Sequence, residues 1–88
     1  MAYQLVWTAE ADNDFRSIVL YLKETWSVQS SQKFIVRTYR RLEKLASMPS
    51  IARAASQQEI YMYKLDKRNV VFFSLQQNYL VILSIYPY

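Results

Sequence analysis

Tyr61-Met62-Tyr63-Lys64-Leu65, Val70-Val71-Phe72-Phe73-Ser74-Leu75 and Tyr79-Leu80-Val81-Ile82-Leu83-Ser84-Ile85-Tyr86 decide the fold of this chain. Each run has strand length and is rich in β-branched and aromatic residues. Asp66-Lys67-Arg68-Asn69 and Gln76-Gln77-Asn78 separate them, and connections this short predict three antiparallel strands joined as two successive hairpins. Alternation puts Tyr61, Tyr63 and Leu65 on one face of the first of these strands, with Ile60, Met62 and Lys64 on the other. In the last strand it groups Val81, Leu83 and Ile85 against Leu80, Ile82, Ser84 and Tyr86. Both faces are apolar, so one must be covered by another layer and the other implies a partner.

The covering layer comes from the first half of the chain. Tyr3 to Trp7 reads as a short opening strand, and Thr8 as the N-cap of a helix from about Ala9 to Thr25. Ala11, Phe15, Ile18, Val19, Leu22 and Trp26 form its apolar stripe, with Tyr21 at the edge. A second helix runs from about Val28 to Ser47. Its inner face is Ile35, Tyr39, Leu42 and Ala46, flanked by Phe34, Thr38 and Leu45. The short break between the two predicts an antiparallel helical hairpin. Pro49 ends the second helix, and a link from Ser50 to about Gln58, with Ile51 as a lid on the core, leads into the sheet. The fold class is α+β in the order β-α-α-β-β-β, a two-helix hairpin on a mainly antiparallel sheet, with residues 1–88 forming one domain.

Composition limits the chemistry. The 88 residues contain no glycine, histidine or cysteine. Without glycine there is no phosphate-cradling loop, and without histidine no imidazole base or triad. Without cysteine there is neither a disulfide nor a thiol nucleophile. Glu10, Asp12 and Asp14 crowd one helical turn, where acids ordinarily complement the helix dipole, and no metal or other cofactor is expected. Neither a signal peptide nor a membrane-length apolar run is present, which predicts a cytoplasmic protein without membrane association.

The net charge of +4 is unevenly spread. Residues 1–32 carry two cations and four acids, whereas residues 33–88 carry nine cations and three acids. Lys33, Arg37, Arg40, Arg41 and Lys44 fall on one side of the second helix, opposite its apolar face. This row is either a solvated surface or a dock for an acidic partner or a phosphate backbone.

The order of these elements and several local strings resemble the RelE/ParE superfamily of small toxins, in particular its ParE-like, plasmid-stabilisation branch. Trp7-Thr8-Ala9-Glu10-Ala11 is similar to the family's strand and helix start, with Ala9 where proline is usual. Asp14-Phe15 and Leu20-Tyr21-Leu22 resemble its first helix. Pro49-Ser50-Ile51-Ala52-Arg53 resembles its Pro-x-x-Gly-Arg link, with Ala52 replacing glycine. Arg68-Asn69-Val70-Val71-Phe72-Phe73 and Val81-Ile82-Leu83-Ser84-Ile85 resemble its later strands.

The resemblance implies the toxin of a type II toxin–antitoxin pair, held inactive by a cognate antitoxin laid over the helical hairpin and sheet. ParE-like members act on DNA gyrase; RelE-like members cleave messenger RNA on the ribosome with basic residues and a tyrosine or histidine on the sheet. This chain departs from the pattern at Ser84, where arginine is common, at Pro87, where histidine is common, and at Tyr88, where relatives extend a basic tail. Lys64 matches one basic RelE-like position, while Met62 occupies another. A target-binding toxin is therefore expected ahead of a ribonuclease. The nuclease alternative would use Lys64, Arg68 and a tyrosine such as Tyr61, Tyr63 or Tyr86. Arg53, Lys64, Lys67 and Arg68 are the expected target- or nucleic-acid-binding residues, with Tyr86 and Tyr88 at the end of the chain beside them. An inactive relative and a plain nucleic-acid-binding module are the remaining alternatives, and a homodimer is admitted.

Overall fold

The computed structural model describes residues 2–55 and 59–87. Strand β1 (Gln4–Trp7) leads into helices α1 (Ala9–Thr25) and α2 (Val28–Ser47), and a single 3-10 turn (Pro49–Ile51) follows. Strands β2 (Arg53–Ala54), β3 (Tyr61–Lys64), β4 (Asn69–Gln76) and β5 (Tyr79–Pro87) complete the chain. The sheet order is β1-β5-β4-β3-β2, antiparallel throughout except for the parallel pairing of β1 with β5. Connecting the parallel pair requires a long crossover, and the helical hairpin supplies most of it.

Both helix starts are capped by hydroxyls. Thr8 accepts from the Ala11 amide at 3.1 Å, and Ser27 accepts from the Ser30 amide at 3.0 Å. These contacts satisfy amides that the first helical turn leaves without partners. The α2 helix ends at Ser47, with Met48 as its C-cap just before Pro49, as expected.

Helices and sheet enclose one apolar core. Phe34, Leu42 and Leu45 of α2 meet Val71 and Phe73 of β4 and Leu80, Ile82 and Ile85 of β5, while Ala11 and Phe15 enter from α1. Ile51 packs over the edge of this core as the expected lid. Trp7, Phe15, Phe34 and Tyr39 form a ring cluster, with Trp7 edge-on to Phe15 at 5.3 Å and Phe15 stacked on Phe34 at 5.5 Å. Each such pair contributes about 0.5–1.5 kcal/mol beyond area burial.

Four features differ from the sequence reading. First, the link before the sheet contributes a further strand: Arg53 and Ala54 pair with Met62 and Tyr61, giving five strands. The end of that link, Gln57 and Gln58, lies outside the described residues. Second, a bulge shifts the β4–β5 register, so that Phe72 opposes Ser84 but Phe73 opposes Ile82. The extra residue, Leu83, reverses the alternation beyond it. Ile85 therefore joins Leu80 and Ile82 in the core instead of sharing a side with Val81 and Leu83. Third, Trp26 is 64% exposed. The α1 helix ends at Thr25, and the Trp26 and Ser27 amides both donate to the Leu22 carbonyl, which turns the indole out of the stripe. Fourth, the buried line of α2 is Ser31, Phe34, Thr38, Leu42, Leu45 and Ala46, so Tyr39 sits at its rim.

Candidate functional site: a groove and an open sheet face

The helices pack on one side of the sheet only, and two surfaces remain available. One is a groove between α1 and the C-terminal end of β5. The other is the sheet face opposite the helices.

The groove exists because β5 outruns β1. Pairing with β1 stops at Trp7, opposite Ile82. Beyond that point the exposed backbone of β5 is met by α1: the Thr8 hydroxyl contacts the Ile82 and Leu83 carbonyls at 2.8 and 3.1 Å, and Asp14 accepts from the Ile85 amide at 3.0 Å. An unpaired strand edge is thereby satisfied by side chains. Past Ile85 the strand diverges from α1 and opens a groove of about 720 Å³, lined by Ile18, Tyr21, Leu22, Arg68, Tyr86 and Pro87 among others. A smaller hollow, lined by Leu22, Trp26, Ser30, Lys33, Arg37 and Arg68, shares Leu22 and Arg68 with it and carries the groove toward α2. Tyr21, Trp26 and Tyr86 are each more than half exposed. Exposed aromatics beside an arginine are the side chains that most often anchor protein partners.

Arg68 reaches this groove from a rigid hairpin tip. Asp66 Oδ1 accepts from the Arg68 and Asn69 amides, both at 2.8 Å, and its Oδ2 accepts from the Arg37 guanidinium at 3.2 Å. Partial burial pushes the Asp66 carboxyl up, but the hydrogen bonds from Arg68 and Asn69, with Arg37 beside it, outweigh burial and hold it below its usual range. The tip is thus tied to α2 by a charge-assisted contact.

The open sheet face follows from the strand register. Tyr86, Val70 and Lys64 form one row across β5, β4 and β3, and Ser84, Phe72, Met62 and Arg53 form the next, reaching β2. Phe72 and Tyr86 meet edge-on at 5.9 Å. None of the five strands contains an acidic residue, and Arg53 and Lys64 are their only cations.

The expected site residues therefore divide between the two surfaces. Arg53 and Lys64 lie on the sheet face, Arg68 lines the groove, and Tyr86 stands at the junction of both. Lys67 is exposed at the hairpin tip. Tyr88 lies outside the described residues. Asp14 lines the groove and Trp26 its hollow, where the sequence reading puts the first among acids complementing the helix dipole and the second in the core stripe. Among the described residues no cluster of three metal-ligating side chains occurs, and no helix is long and apolar enough to cross a membrane.

A helical hairpin on a five-stranded mixed sheet is the fold of RelE/ParE-like small toxins. The profile of the family described as the ParE toxin of the type II toxin–antitoxin system, parDE, matches residues 5–87, and the chain belongs to that family. Solved structures agree on the fold. The toxin of a chromosomal ParDE system from Pseudomonas aeruginosa superposes with a TM-score of 0.86 at 16% identity, covering 98% of this chain and 96% of that one. The YoeB dimer of Staphylococcus aureus gives 0.67 at 12% identity, covering 100% and 98%. The RelBE2 toxin–antitoxin complex of Mycobacterium tuberculosis gives 0.63 at 10% identity, with both chains fully covered. No curated protein sequence matches significantly.

Proposed function

We propose that this toxin acts in the cytoplasm by binding DNA gyrase, and that its cognate antitoxin neutralises it by laying an acidic, aromatic- or aliphatic-bearing segment into the groove between α1 and the end of β5. The observation that carries this reading is the groove itself. It combines exposed aromatic anchors, Tyr21, Trp26 and Tyr86, with a fixed cation, Arg68. Aromatic anchors around a fixed cation suit such a surface to holding a protein partner.

A second reading, a ribosome-dependent ribonuclease, draws on the row that puts Lys64 and Tyr86 on either side of Val70. A cation there could stabilise charge on a phosphate. The strands carry neither histidine nor carboxylate, however, so removing a proton from a 2′-hydroxyl has no ordinary base on that face.

Inducible expression tests the choice. The binding reading expects growth arrest, rescue by the product of the adjacent small reading frame, and gyrase-dependent DNA damage with messages left intact. Primer extension that revealed specific message cuts, abolished by Lys64→Ala, would establish the nuclease instead. Normal growth of cells making the folded protein alone would defeat both.

A further inference from the structure

The groove and its hollow take in only Lys33 and Arg37 of the most highly charged surface of the molecule. Lys33, Arg37, Arg40, Arg41 and Lys44 lie along the outer side of α2 and are all exposed. At 1.5 Å per residue the row is about 16 Å long, and its members stay within about 100° of one another around the helix axis. Within this row only Arg37 has an ion-pair partner among the described residues, Asp66, and its guanidinium also lies 5.9 Å from the Phe34 ring centre. Lys33, Arg40, Arg41 and Lys44 have none. The one acid of α2, Glu43, projects about 100° away from the centre of the row.

We propose that this face of α2 binds the phosphate backbone of a nucleic-acid duplex, independently of sequence. Three observations favour that occupant. The row lacks the apolar centre of a protein interface, because Val36 is the only apolar side chain among the residues lining the shallow depression here, and Lys33 and Lys44 are of a type depleted at such centres. Single strands are disfavoured because they are held by stacking on aromatic side chains. Of the rings beside the row, Tyr39 is engaged with Trp7 and Phe15 at 6.0 and 5.8 Å, Phe34 is buried, and the exposed Trp26 stands at one end, beside Lys33 and Arg37. A row of five cations on a 20-residue helix, four of them without an ion-pair partner among the described residues and flanked by Gln29 and Gln32, is suited to a regular line of phosphates. The inference goes beyond the groove reading and rests chiefly on Arg40, Arg41 and Lys44, which line neither the groove nor the hollow beside it.

Anisotropy titration of the full chain against a labelled DNA duplex of arbitrary sequence, repeated with the corresponding RNA duplex and single strands, tests it. Four released counterions give a slope of about −3.6 in log affinity against log salt, so that raising salt from about 50 to about 200 mM weakens binding about a hundredfold. The triple variant Arg40→Gln, Arg41→Gln, Lys44→Gln should lower that slope to about −1 and weaken low-salt binding at least tenfold. Glutamine is a good helix former, and unchanged circular dichroism verifies the fold. Arg53→Gln with Lys64→Gln, on the sheet face, should leave the slope in place. No duplex binding at low salt, a slope unmoved in the triple variant, preference for single strands, or equally tight binding of poly-glutamate through the same row would each overturn the inference, the last in favour of an acidic protein. Growth arrest is scored separately. Arrest without duplex binding overturns this inference and leaves the gyrase proposal standing, whereas duplex binding without arrest does the reverse.

Discussion

The Asp14 carboxylate on α1 accepts a hydrogen bond of 3.0 Å from the backbone amide of Ile85, a residue 71 positions further along the chain. This contact ties the first helix to the last strand at the point where β1 no longer reaches, and it fixes where Tyr86 and Pro87 emerge to line the groove. Replacing Asp14 with alanine leaves the Ile85 amide without an acceptor, at an expected cost of about 1–3 kcal/mol. Asp14→Asn retains a carbonyl oxygen and should recover part of that loss. Urea denaturation gives the energies, and faster hydrogen exchange at the Ile85 amide in Asp14→Ala locates the effect.

Asp66 makes stability depend on pH in a defined direction. Its carboxyl is held below the usual range in the folded state, so the stabilisation is fully present above about pH 4, the ordinary carboxylate value. It is lost as pH falls through the lower, folded-state value. Asp66→Asn should remove this acid-side dependence and cost about 1–2 kcal/mol at neutral pH, because the amides of Arg68 and Asn69 lose a charged acceptor. Thermal melts of both proteins between neutral pH and about pH 3 show whether the curves converge in acid as expected.

Gln77 carries a positive φ of 56° at the first position of the two-residue loop joining β4 to β5. A residue with a Cβ is disfavoured there, and this glycine-free chain accepts the strain. Gln77→Gly should therefore stabilise the fold, by about 0.5–1 kcal/mol once the greater freedom of glycine in the unfolded chain is counted. A higher urea midpoint with an unchanged m-value is the expected outcome.

The helices and the three-stranded meander are legible in the sequence because their apolar periods, 3.6 and 2, are sustained over whole elements. What escapes the pattern is either short or indifferent to it. Two residues, Arg53 and Ala54, cannot display a period, and β2 becomes a strand only because β3 offers it an edge. The bulge is invisible because Leu83 and Ile85 are chemically equivalent, so the sequence contains nothing to show which of them enters the core. Trp26 has the spacing of a core residue, but the turn that ends α1 one residue earlier takes it out of register. The site is less legible than the fold. Lys64 can be placed on the face of Met62 from alternation alone, whereas the meeting of Arg68 with Trp26 and Tyr86 depends on how the hairpin tip folds back over Asp66.

Trp26 offers the sharpest separation of stability from partner binding. Its indole is largely exposed and lies in the hollow that carries the groove toward α2, beside Leu22 and Arg68. An exposed side chain of this kind contributes little to folding, so Trp26→Ala should change stability by no more than about 0.5 kcal/mol. If the antitoxin uses the hollow as proposed, the same substitution removes a central aromatic anchor and should weaken the complex by about 2 kcal/mol, or some thirtyfold. Calorimetric titration of the variant with the antitoxin, alongside its urea melt, measures both quantities. Unchanged affinity would place the antitoxin elsewhere on the toxin, and a large loss of stability would mean that the indole packs more tightly than its exposure indicates.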